Sequence, residues 1–110
     1  MARPAAIDFG TLCDELDALV SAPPTRNAVA RKELERTLTD GYASALSLEG
    51  ERLRLERRIG EVAAGIKRPS RNRETEELAD LSLRLSQATS DLTRLRELLV
   101  QLRQRVSAAA

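Results

Sequence analysis

Leucine recurs through the last third of the chain with a fixed rhythm. Leu78, Leu81, Leu85, Ala88, Leu92, Leu95, Leu99, Leu102 and Val106 are separated by alternating steps of three and four. This 3.5-residue period, held for four heptads, is the mark of a helix whose apolar seam faces another helix. The pattern predicts a helix over 74–107. Glu74, Glu76 and Glu77 crowd its first turn, where they complement the positive end of the helix dipole, and Asn72 is placed to cap it. Arg103 and Arg105 bring the sign that the dipole prefers near the other end.

A second seam precedes this one. Leu34, Leu38, Ala45, Leu48, Leu55, Ile59, Val62 and Ile66 keep steps near three and four if Gly41 and Arg52 are accepted as its exceptions. They predict a long helix over 26–65, capped by Thr25 or Asn27. Gly41, Gly50 and Gly60 lie inside it, each weakening a helix by about 1 kcal/mol relative to alanine. Gly41 is on the seam, where it permits close helix approach; Gly50 and Gly60 have no such explanation. Tyr42, Leu46 and Leu53 point away from the seam, because two residues along a helix rotate the side chain by about 200°. Apolar residues on two faces predict two neighbours for this helix.

A shorter pattern near the start, Phe9, Leu12, Leu16, Leu19 and Val20, predicts a helix over 8–21, capped by Asp8 and stopped by Pro23-Pro24. A helix of this length is marginal alone, so it should dock, with the long second helix as one partner. Cys13, beside Leu12 and Leu16, is expected to pack rather than react.

The two long seams are out of phase: heptads continued from Ile66 reach Arg73 and Asp80 instead of Leu78. Pro69 supplies the break, within a basic turn over 66–73 that carries Lys67, Arg68, Arg71 and Arg73. The expected fold is therefore all-α, a single domain over 1–110 built as a long antiparallel helical hairpin, a coiled coil, with a short N-terminal helix. If the bend centres near Pro69-Ser70, facing residue numbers sum to about 139. Arg52 then meets Gln87, Ala88 and Asp91. A polar layer results, in which Gln87 and Asp91 accept hydrogen bonds from the guanidinium and fix the register. Leu83, Leu98 and Val100 fall on other faces. These extra apolar residues point to a homodimer with a four-helix core in which Leu78, Leu81, Leu85, Leu92, Leu95, Leu99 and Leu102 form the dimer or partner seam. A compact three-helix monomer is the competing arrangement.

Composition narrows the chemistry. One Phe, one Tyr and no Trp leave Leu, Val, Ile and Ala to build the core, material for helix seams rather than a β-sandwich. Charged residues make up 32% of the chain yet cancel to a net +1, so no long-range field draws it to DNA or an anionic membrane. The basic turn offers cations for phosphate, but no aromatic side chain is interleaved for base stacking and three acids follow, so nucleic acid is not an expected partner. With no His and a single Cys, the usual zinc sites and the commonest general base are missing; no cofactor or metal is expected. The carboxylates read as ordinary helix pairs, Asp80 with Arg84, Arg57 with Glu61 and Asp91 with Arg94. The first twenty residues lack a signal peptide's apolar core, and no stretch reaches the ~18 apolar residues of a membrane helix, so a cytoplasmic location and no membrane association are expected.

Glu76, Gln87 and Asp91 stand at the spacing of a motif, Glu-x3-Ser-x2-Arg-x3-Gln-x3-Asp, with Asp80 and Leu83 in the Ser and Arg places. In this helix the chain resembles the helical-hairpin anti-sigma factors of actinobacteria that respond to cyclic di-GMP. The resemblance implies a hairpin that binds another protein's helices, a sigma factor being the partner class, in transcription regulation. Leu83 removes the charged contact to nucleotide that the motif's arginine would supply. The expected function is that of a non-enzymatic coiled-coil interaction or regulatory protein. The alternative is a regulator that binds cyclic di-GMP at a dimer interface through Gln87, Asp91 and nearby arginines.

Overall fold

A computed structural model describes residues 8–23, 27–66 and 72–109. They form three helices, α1 (Phe9–Ser21), α2 (Ala28–Gly65) and α3 (Asn72–Ala109), and among the described residues there is no strand. The basic turn of residues 67–71 lies outside them, as do Pro24, Thr25 and Arg26.

Local chemistry sets the ends. Asp8 caps α1: its Oδ2 accepts from the Thr11 amide at 3.2 Å and its carbonyl from the Leu12 amide at 2.9 Å. Ala22 leaves the helix extended, at φ −71° and ψ 150°, the region that a following proline imposes. Asn27 caps α2 through its Oδ1, which accepts from the Val29 amide at 2.9 Å, so this helix starts two residues later than the pattern predicts. It closes at Gly65 with a tight bond from the Ile66 amide to the Ala63 carbonyl, 3.3 Å. α2 runs unbroken for 38 residues through Gly41, Gly50 and Gly60. α3 begins two residues earlier and ends two later than the 74–107 expected. Asn72 is therefore its first helical residue, not its cap, and Glu74 sits in the first turn. The extension also leaves no basic residue in the last turn, with Arg103 and Arg105 further inside.

The fold divides into two compact units, to both of which α2 and α3 contribute. One, Met1–Ser44 with Leu95–Ala110, contains α1 and stretches of the two long helices. Its core is dry: Leu12, Cys13, Leu16, Leu95 and Leu102 are at most 1% exposed, and Leu99 is also buried. The three segments meet at Gly41. A Cβ there would collide with Leu99 Cδ2 and lie 3.8 Å from Leu16 Cδ1, so the absence of a side chain is what admits Leu99.

The other unit, Ala45–Arg94, has two segments. Leu55, Val62, Leu81 and Ala88 form its core, with Ile59, Leu78 and Leu85 half-buried against it. Later residues of α2 pair with earlier residues of α3: Arg58 meets Glu77, while Leu48 and Glu51 share a cleft with Ala88 and Asp91. These pairings fall within about a turn of the alignment read from the seams.

The off-seam residues separate. Leu98 is buried as well as adjacent Leu99, in the unit that contains the third helix. Tyr42, Leu46 and Leu53 are exposed, so the second neighbour expected over this face of α2 is not supplied by the described chain. α1 instead contributes Leu16 at Gly41, on the seam.

Candidate functional site

Each leucine proposed for a dimer or partner seam is used inside the chain. Leu81, Leu92, Leu95, Leu99 and Leu102 are buried and Leu78 and Leu85 half-buried within their own units. A partner helix must therefore find other apolar surface.

The polar layer is arranged differently from expectation. Gln87 Nε2 donates to Asp91 Oδ1 at 2.8 Å, one turn along α3. Arg52 turns to its own helix, where Nε lies 3.8 Å from Glu56 Oε1. That Nε is shielded from solvent without a hydrogen bond. An i,i+4 carboxylate is within reach whatever the opposing helix does, which explains why Arg52 takes Glu56 and leaves Gln87 and Asp91 to each other. Gln87 and Asp91 line a cleft of about 170 Å³ with Leu48, Glu51, Arg84 and Ala88. Ligand pockets usually occupy about 300–1,000 Å³, so this cleft alone does not enclose a dinucleotide.

Arg58–Glu77 links the two segments at hydrogen-bond distance, a pairing that sequence reading missed. Arg58 Nη2 and Nε donate to Glu77 Oε1 at 2.7 and 3.1 Å, and Nη1 lies 3.6 Å from Glu61 Oε2. The hydrogen bond to Glu77, and after it the carboxylate's charge, raises the guanidinium's pKa above its ordinary value. The predicted alignment places Arg58 about a turn from Glu77, so opposite charge near facing positions was the available signal. Of the expected helix pairs, Asp80–Arg84 is present at 4.0 Å, while Glu61 and Asp91 are engaged by Arg58 and Gln87.

Beyond the seams, exposed apolar side chains concentrate on outer helix faces. In the two-segment unit Leu46 is 70%, Leu53 58% and Leu83 71% exposed. Leu53 lies about 160° around α2 from buried Leu55, and Leu83 as far around α3 from buried Leu81, as two-residue steps require. Among the described residues no group of three His, Cys, Asp or Glu could hold a metal ion, and no helix is long and apolar enough to cross a membrane. Comparison with known proteins finds no family model, no curated protein and no solved structure that matches the chain.

Proposed function

We propose that the chain is a non-enzymatic interaction or regulatory module that works by helix-on-helix recognition, its two-segment unit forming an antiparallel coiled-coil hairpin. The observation that carries this reading is the outer display of Leu46, Leu53 and Leu83. The seam beneath them is already filled, yet these leucines stay in water, and a helix laid over α2's outer face would remove Leu46 and Leu53 from it. A second copy is the simplest such partner, giving a homodimer with a four-helix core. The anti-sigma-like resemblance adds a sigma factor as the heterologous partner class.

The test is paired. Light scattering of the wild-type chain reads self-association, and capture from the source cell reads partner retention. Leu46→Asp and Leu53→Asp should abolish whichever is found while leaving helicity intact. If both persist in the double variant, the outer leucines are not the recognition surface.

A further inference from the structure

α1 is a 13-residue helix, too short to be stable alone, so its structure depends on the surface that it covers. Its Leu16 approaches Gly41 of α2 beside Leu99 of α3, both long helices of 38 residues, in a unit where Leu95, Leu98 and Leu102 are buried as well. Leu98 and Leu99 are adjacent and both buried, so this stretch of α3 is closed on two sides within its unit. Removing α1 opens one of those sides and leaves a leucine-lined groove with the Gly41 notch in its floor.

α1 is buried most deeply at its middle, with Phe9, Leu19 and Val20 half-buried to either side. Leu12, Cys13 and Leu16 are the residues it buries. Past them the packing loosens into an exposed cleft of about 340 Å³ between Glu15, Ala18 and Leu19 of α1 and Glu33 and Thr37 of α2. Glu15 and Glu33 face the same cleft, and among the described residues no cation lines it, so their like charges oppose closure there. Extended Ala22 and Pro23 then lead the chain away from α1.

We propose that α1 is an exchangeable helix, and that the groove it fills in cis accepts the α1 of a second copy. The occupant follows from the structure itself: the groove holds an α1 already, and the same segment of another copy brings the same Leu12, Cys13 and Leu16. Exchange preserves each of these contacts, leaving only the connection and the entropy of association to decide between monomer and swapped dimer. This is distinct from recognition by the outer leucines, and the two can fail separately.

Cys13 is the sole cysteine and is fully buried, so thiol labelling of the full chain reports α1 release directly. In the wild type, labelling should run at least 10-fold faster than global unfolding followed by circular dichroism. Labelling no faster than global unfolding would sink the proposal. The partner is tested by complementation: Leu16→Asp spoils α1 and keeps the groove, while Gly41→Leu blocks the groove and keeps α1. Each alone should form no α1-exchanged dimer and have a reactive Cys13. Mixed, they should form a 1:1 dimer in which labelling of the Gly41→Leu chain slows at least 10-fold. Absence of that protection, with both variants helical, overturns the exchange. Should Gly41→Leu not fold, mixing the wild type with a size-tagged wild-type copy replaces it. Mixed dimers with protected Cys13, lost in Leu16→Asp but kept in Leu53→Asp, support the exchange; dimers lost in Leu53→Asp instead assign association to the outer leucines.

Discussion

The two units are cut from the same kind of helix, yet they bury side chains to different depths. In the three-segment unit α1 closes the seam, and Leu12, Cys13, Leu16, Leu95 and Leu102 are excluded from water almost completely. In the two-segment unit Leu92, next to the boundary, is equally buried at 1%, but Leu55, Val62, Leu81 and Ala88 keep 5–7% of their surface, and Ile59, Leu78 and Leu85 keep more. A pair of helices shields a seam along one line; a third helix is needed to shield its flanks. The two-segment unit compensates at the rim with Arg58–Glu77 and leaves Leu46, Leu53 and Leu83 available to an outside partner.

The largest expected effect probes depth directly. Leu16→Ala and Leu95→Ala should each destabilise the chain by about 2–5 kcal/mol, as fully buried leucines do. Leu55→Ala and Leu81→Ala should fall at or below the low end of that range, because water already reaches their neighbourhood. Denaturant midpoints at constant slope measure the difference, and equal losses in the two units would erase the contrast.

The glycines sharpen it further. Gly41→Ala places a methyl against Leu99 Cδ2 in the closed core. Overpacking of about 1–3 kcal/mol, less about 1 kcal/mol gained in helix propensity, predicts a net loss of up to about 2 kcal/mol. Gly60, in the two-segment unit, has nothing within 4 Å of the same methyl, so Gly60→Ala should stabilise by about 1 kcal/mol. Opposite signs in thermal unfolding would tie the two substitutions to their units.

Smaller again is Arg52→Leu. It replaces a guanidinium whose shielded Nε has no hydrogen bond by an apolar side chain on the seam, and should be neutral or stabilising by up to about 1 kcal/mol. A clear loss of stability would show that Arg52 holds the register after all. The slightest effect belongs to Glu77→Gln. Both partners are exposed, so the difference from wild type should disappear as salt rises from about 0.01 to about 1 M. A raised arginine pKa gives stability that is present below the ordinary arginine pKa and lost as pH rises through the raised value. Titration of Arg58 therefore adds no pH dependence near neutrality.

Much of this was legible from residue order because helical phase is a local quantity. A 3.5-residue repeat states which side of each long helix is apolar, and the side it names is the buried one, from Leu81 to Leu102 and from Ala45 to Val62. The caps at Asp8 and Asn27 and the stop before Pro23 were readable for the same reason, since each depends on atoms within three or four residues. Gly41 as a point of close approach also followed from its place on the seam.

What residue order left open is how many neighbours each face has. Leu98 and Leu83 are both off-seam leucines of α3, but one is buried and the other exposed, and helical phase does not tell them apart. Arg52 likewise had two sets of acceptors that suited its chemistry, and backbone proximity on α2 chose Glu56. The sequence by itself determined three helices, the caps that start the first two and the apolar sides of all three, because backbone hydrogen bonding and helical periodicity act over a few residues. Only the tertiary structure decided which apolar sides are closed, because covering a face requires a second surface brought there from elsewhere in the chain.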